Sequence, residues 1–173
     1  MSDFPITKPY ELGRLPQAGD DVTITPAHDD LVRIAQWAGV ERIDTFVAKI
    51  DLEKISSTRF KLNVSLEADI VQACVVTLEP LRVHISRNFI RDLMLAEGPQ
   101  RVAKEIELTP VDDDGREEID SLRYDLAVPV LEELALAIDP YPRAPGVEFE
   151  PPGDETDSRP HPFAALQSLK NRT

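Results

Sequence analysis

The sequence predicts an α+β fold, in which a curved antiparallel sheet packs against two main helices. Residues 60–70 alternate strictly between apolar and polar side chains, which indicates a long strand with one buried face and one solvated face. Residues 46–52 alternate in the same way, and the turn-like residues 53–58 lie between the two runs. These runs predict a hairpin of long strands, and helix-period stripes before and after it predict the layer that covers it.

The first helix is predicted over residues 26–38. Thr25 is suited to the N-cap, Pro26 to the first helical position, and Gly39 to the C-terminal end. Before this helix, residues 22–25 predict a short strand, and residues 10–15 predict an extended piece along a sheet edge. The predicted buried stripe has helical spacing and consists of Leu31, Ile34, Ala35 and Ala38.

The second helix is predicted over residues 125–138, or from Pro129 onward, because proline is tolerated in the first turn of a helix. Further strands are predicted over residues 81–90, 102–108 and 122–124. The adjacent apolar residues Ile70 and Val71 break the alternation and predict either a bulge or a second buried face near residues 72–74. The apolar stripe of the second helix consists of Val130, Leu131, Leu134, Ala135 and Ile138.

We expect one α+β domain over residues 1–147, followed by a flexible, acidic and proline-rich tail over residues 148–173. At 173 residues, the chain is long enough to bury a core without disulfides or a structural metal. Residues 110–118 hold too many acidic side chains to join a core, and we expect a solvated loop there. Residues 163–170 have the pattern of a short terminal helix.

The chain carries 32 acidic and 19 basic residues, a formal net charge of −13. Because non-specific affinity for nucleic acid or anionic lipid grows with the cations that a protein supplies, this charge disfavours DNA, sequence-blind RNA binding and membranes. The N-terminal residues lack the basic and apolar regions of a signal peptide, and no apolar run approaches the roughly 20 residues that span a bilayer. With a single cysteine, no internal disulfide can form. We therefore expect a cytoplasmic protein.

The sequence contains no recognisable catalytic set. Cys74 has no histidine placed to activate it, and a buried structural cysteine is the favoured interpretation. Asp112, Asp113 and Asp114 resemble half of a calcium loop, but the alternating acids and flanking helices of an EF-hand are missing. Phosphate loops, dinucleotide fingerprints, zinc-protease motifs and nucleophile elbows are also absent from the sequence. We therefore expect a protein that is not an enzyme.

The densest basic stretch of the chain contains Arg82, His84, Arg87 and Arg91. Arg82 and His84 are predicted to share the solvated face of a strand, whereas Arg87 is out of phase with them unless the strand bends. Such a stretch is suited to touching RNA phosphates, but its acidic neighbours make mixed surface charge the favoured interpretation.

Three further features, residues 72–80 (QACVVTLEP), residues 119–120 leading into residues 130–137 (VLEELALA), and residues 139–143 (DPYPR), have a characteristic order and spacing. Together they resemble the YceD family, the large ribosomal RNA subunit accumulation proteins, over roughly residues 31–149. Many members of that family have a second cysteine where Thr77 stands and further cysteines near residues 139–146, a set that suits structural zinc. Only Cys74 is present here, so we expect no metal and no other cofactor.

The resemblance implies a factor in ribosome biogenesis that is needed for normal levels or processing of large-subunit ribosomal RNA. We expect a non-enzymatic factor that binds a large-subunit ribosomal protein or pre-ribosomal RNA. Two alternatives stay open: a metal-dependent RNA-processing hydrolase that uses the acids of residues 112–114, and a scaffold protein unrelated to ribosomes. The candidate partner-binding residues are Cys74, Thr77, Glu79, Pro80, Arg82, His84, Arg87, Arg91, Tyr141 and Arg143.

Overall fold

The structure, a computed structural model, describes residues 4–96 and 115–148. This part of the chain contains a five-stranded sheet, a two-stranded sheet and two α-helices, which confirms the predicted α+β class. In chain order, the elements are β1 (Pro9–Glu11), a 3₁₀ turn (Leu12–Arg14), β2 (Asp20–Ile24), α1 (His28–Ala38), β3 (Arg42–Lys54), β4 (Arg59–Ala73), β5 (Pro80–Leu95), β6 (Arg116–Ile119), β7 (Arg123–Asp125) and α2 (Ala127–Ala137).

The larger sheet has the strand order β2-β3-β4-β5-β6 and is mostly antiparallel. The predicted hairpin of long strands is confirmed, since β3 pairs with β4 from end to end and Leu52 lies opposite Leu62. β6 is the exception to the predicted antiparallel pattern, because it runs parallel to the C-terminal end of β5. β1 and β7 form a separate antiparallel pair, so the extended piece predicted over residues 10–15 is confirmed only for Tyr10 and Glu11, because Leu12–Arg14 form the 3₁₀ turn.

One face of the larger sheet, called the inner face, forms the core together with the two helices. On β4, the inner-face residues Phe60, Leu62, Leu66 and Ile70 are almost fully buried. Each such side chain stabilises the fold by about 1.5–3 kcal/mol relative to an exposed position. The opposite face, called the outer face, carries the polar half of the alternation. The helical side chains buried in this core are Ile34, Ala35, Ala127, Val130, Leu131 and Leu134.

The first helix begins two residues later than predicted. Ala27 is the N-cap of α1, and its φ of −70° and ψ of 166° are extended, so the predicted start with Thr25 and Pro26 was wrong. Gly39 ends the helix as predicted, in the left-handed conformation with a φ of 70°. α2 lies within the longer of its two predicted ranges, although Ala135 of the predicted stripe is exposed.

The break in alternation after Ile70 is a second buried face, one of the two predicted alternatives. The register between β4 and β5 is unbroken as far as Ala73, and Val71 is only 3% exposed although it belongs to the outer face. The register shift of the hairpin lies instead between Ile43 and Thr45 of β3.

The acidic loop predicted as far as residue 118 ends earlier, because Arg116–Ile119 forms β6. Tyr124 donates its hydroxyl to a Glu117 carboxylate oxygen at 3.1 Å, and Ile119 is buried. One acid therefore has a hydrogen-bonding partner and the strand has an apolar anchor, which explains how a charged segment joins the sheet edge.

Several predictions lie outside the described residues. They are the strand over residues 102–108, the part of the acidic loop over residues 110–114, the terminal helix over residues 163–170, and the tail beyond residue 148. Within residues 4–96 and 115–148, no helix is both long and apolar enough to cross a membrane.

Candidate functional site

The loop of residues 74–79 connects β4 to β5 and packs against residues 139–144, which follow α2. Inside the loop, the Cys74 N–H donates to the Glu79 carbonyl oxygen at 2.9 Å. The Leu78 N–H donates to the Cys74 carbonyl oxygen, also at 2.9 Å. These two bonds close the loop on itself, so its backbone has a defined shape.

Two hydrogen bonds to carbonyl oxygens, besides the bond to the Cys74 sulfur described below, join this loop region to the segment after α2. The Val75 N–H donates to the Pro142 carbonyl oxygen, and the Gln72 side-chain amide donates to the Asp139 carbonyl oxygen, each at 2.9 Å. Gln72 is 6% exposed, so its bond to the segment is shielded from water. We call residues 74–79 and 139–144 together the Cys74 surface.

The sulfur of Cys74 is the centre of this arrangement and is fully buried, as predicted. It accepts the backbone N–H of Ala144 at 3.4 Å and that of Thr77 at 3.5 Å. The Thr77 hydroxyl, followed by the N–H groups of Thr77, Ala144 and Val76, lowers the pKa of the Cys74 thiol from 9.0 to about 6. The sulfur therefore joins both segments of the Cys74 surface and is poised to carry negative charge.

The donor set around Cys74 does not fit a structural zinc ion, which needs four ligands such as thiolates or imidazoles. One thiol is surrounded here by a hydroxyl and N–H donors, and Thr77 supplies a hydroxyl rather than a second thiol. In the part of the chain that the structure describes, no three His, Cys, Asp or Glu side chains are grouped to hold a metal.

The Cys74 surface presents three apolar side chains to solvent. Leu78 is 76% exposed, Tyr141 is 72% exposed and Val75 is 45% exposed. Leu78 also has a φ of +61°, in the left-handed region that leucine rarely adopts. Tyr141 is one of the candidate residues named from the sequence, whereas Val75 and Leu78 lie in the predicted region without being named individually. The sequence feature that could have identified Val75 and Leu78 is their position in a short turn before Pro80, where an apolar side chain has no sheet face to pack against.

Arg82 and His84 lie on the outer face of β5, as predicted, and both are next to acids. Arg82 is 3.9 Å from Asp44, while the His84 ring nitrogens lie 2.8 Å from Asp69 and 3.0 Å from Glu67. The hydrogen bond with Asp69, supported by Glu67, raises the pKa of His84. This part of the surface has mixed charge, in agreement with the favoured interpretation of the basic stretch.

Arg87 and Arg91 point to the opposite face of β5, where α2 lies. Arg91 donates to Glu132 at 3.1 Å, and Arg87 lies 3.9 Å from Glu133. Arg87 is therefore out of phase with Arg82, as predicted, and the strand does not bend to bring the two together. Both arginines connect β5 to α2 rather than joining the Cys74 surface.

The structure thus divides the predicted partner-binding residues into three groups. Arg82 and His84 are on the outer face, and Arg87 and Arg91 are on the inner face. The remaining residues belong to the Cys74 surface or directly adjoin it at the start of β5: Cys74, Thr77, Glu79, Pro80, Tyr141 and Arg143.

A groove of about 590 Å³ crosses the outer face of the larger sheet. Its charged lining consists of Asp21 and Asp51 against the single Lys49, and polar side chains such as Asn63 and Asn88 complete it. The excess of acids makes this groove a poor site for the phosphates of RNA.

Comparison with known proteins identifies the family. A family model described as large ribosomal RNA subunit accumulation protein YceD matches residues 62–170, which is more than half of the chain. The chain belongs to the YceD family. The match includes all three stretches that carried the resemblance, and the family's name implies a role in accumulation of large-subunit ribosomal RNA. No curated protein and no solved structure matches the chain.

Proposed function

We propose that this YceD-family protein is a non-enzymatic factor that supports accumulation of large-subunit ribosomal RNA. In this proposal it acts in the cytoplasm by binding a large-subunit ribosomal protein or pre-ribosomal RNA. Family membership is the observation that carries the proposal. The Cys74 surface supports it, because binding needs exposed side chains on a fixed backbone and this surface lies within or beside the matched residues.

The direct test is depletion of the protein from the cells that produce it. We expect the ratio of large- to small-subunit ribosomal RNA to fall, and a sucrose gradient to show a selective loss of large subunits. Expression of the wild-type chain from a plasmid should restore both. An unchanged ratio and gradient profile would contradict the proposal.

The non-enzymatic part of the proposal has its own test. Purified protein incubated with precursor ribosomal RNA and magnesium should leave the RNA uncut. Cleavage that is lost in an Asp113→Ala variant would favour the RNA-processing hydrolase instead.

A further inference from the structure

We infer that Leu78 and Tyr141 are anchor residues with which the Cys74 surface docks into an apolar cleft of a basic protein. The inference deepens the proposed function and rests on it, since it selects a ribosomal protein rather than RNA as the direct partner.

Leu78 combines a solvent-exposed side chain with a backbone conformation that leucine rarely adopts. At 76% exposure it contributes little burial energy, and its φ of +61° is unfavourable for leucine, whereas glycine adopts this conformation freely. The bond from its N–H to Cys74 holds this conformation and keeps the side chain directed into solvent. Residues held in such sparsely populated backbone regions cluster at active sites, ligand clamps and switch regions.

The backbone of Tyr141 is also constrained. Its N–H donates to the Asp139 carboxylate at 2.8 Å, and prolines on both sides restrict its backbone. The adjacent Pro142 is buried and accepts the N–H of Val75. Little ordering is therefore needed on binding, and tyrosine is among the residue types that contribute most at protein interfaces.

Charge distinguishes a protein from RNA as the occupant. Among the described residues that make up the Cys74 surface, Arg143 is outnumbered by Glu79 and Asp139, so these residues themselves form no basic patch for phosphates. The whole chain has a net charge of −13, which attracts a basic protein and repels a polynucleotide. A leucine anchor also requires an apolar cleft, which a folded protein provides.

The test compares Leu78→Gly and Tyr141→Ala with Ile55→Ala as a matched control. Ile55 is 51% exposed in the β3–β4 turn, at the opposite end of β4 from the Cys74 surface. Leu78→Gly suits its φ, so it should unfold at the same or a higher temperature than the wild type. Any loss of binding by this variant then comes from the missing side chain rather than from misfolding.

Two probes are used with the full-length chain: the proteins extracted from purified large ribosomal subunits, and the protein-free RNA of the same subunits. We expect saturable binding to the protein probe that weakens about tenfold in Leu78→Gly and in Tyr141→Ala and is unchanged in Ile55→Ala. The RNA probe should bind none of the variants specifically.

Binding by Leu78→Gly as tight as wild type overturns the inference, as does failure of the wild type to bind the protein probe. Binding to the RNA probe that Leu78→Gly abolishes also overturns it and makes RNA the direct partner. Expression of the variants in depleted cells distinguishes the anchor inference from the proposed function. If Leu78→Gly restores the ribosomal RNA ratio fully, the anchor inference fails while the proposed function stands.

Discussion

Among the glycines that the structure describes, Gly19, which precedes β2, is the one where a side chain would be tolerated least. A Cβ atom there would lie 2.8 Å from the Leu52 carbonyl oxygen, and the residue has a φ of +86°. We predict that Gly19→Ala lowers the free energy of unfolding by about 2–3 kcal/mol, measured by urea denaturation. Gly39→Ala is the control, because its φ is +70° but its Cβ would meet open space, and about 1 kcal/mol is expected. Equal losses in the two variants would contradict the steric explanation.

Cys74 should make stability depend on pH. Its thiol has a pKa of about 6 in the folded chain against an ordinary value of 9.0, so between these values the unfolded chain binds more protons. The free energy of unfolding should therefore rise from pH 6 to pH 9, with the contribution complete above pH 9 and lost as pH falls through 6. Urea denaturation across this range measures the slope, and Cys74→Ser should reduce it.

The comparison of the wild type with Cys74→Ser also removes the opposing contribution of His84 to the pH dependence of stability. Its pKa is raised by Asp69, so the stability that it adds is present below its ordinary pKa and is lost as pH rises through the folded value. Both the wild type and Cys74→Ser retain His84, so the difference between their pH profiles reports on the thiol. Parallel profiles would show that Cys74 stays protonated in the folded protein.

The contact between α2 and β5 depends partly on ion pairs at the edge of the core. Arg91 and Glu132 are 3.1 Å apart with side chains 32% and 46% exposed. A double-mutant cycle of Arg91→Ala and Glu132→Ala should give a coupling free energy of about 0.5–1 kcal/mol. The control cycle uses Arg82 and Asp44, where Arg82 is 82% exposed and 3.9 Å away, and about 0.2 kcal/mol is expected. A larger coupling in the control cycle would contradict this ranking.

The long elements could be predicted from the sequence because their signal is local. The alternation over β3 and β4 determines which side chains face the core, and burial of one face then fixes the register. The first residue of α1 could not be predicted in the same way, since Thr25 and Pro26 also suit an extended segment. The parallel pairing of β6 with β5 depends on contacts between distant parts of the chain, which periodicity does not encode.

In the candidate site, too, the local features could be predicted from the sequence and the contacts between distant residues could not. The loop that carries Cys74 and the segment that carries Tyr141 could be identified from the sequence, through the resemblance of their residues to a family. Their association depends on hydrogen bonds between residues about 70 positions apart, such as that from Ala144 to the Cys74 sulfur, which no sequence pattern predicts. Likewise, the glutamates that face Arg87 and Arg91 are on α2, more than 40 positions away along the chain.

At the scale of the molecule, neighbouring acids offset part of the positive charge of the basic stretch in the described part of the chain. Each of its four members lies within 4 Å of a carboxylate: Arg82, His84, Arg87 and Arg91. The outer-face groove also has more acids than bases. The negative net charge is therefore not offset by a local basic patch at either of these places, which favours a basic protein as the partner.

This charge should act mainly on the rate of association. With the proteins extracted from large ribosomal subunits as the probe, raising sodium chloride from about 0.05 to about 0.5 M should lower the association rate about tenfold, because salt screens long-range attraction. Leu78→Gly should instead raise the dissociation rate and leave the salt dependence unchanged, since it removes a short-range contact and no charge. Surface plasmon resonance at several salt concentrations separates the two rates. An association rate that is insensitive to salt would mean that the net charge of −13 does not guide this protein to its partner.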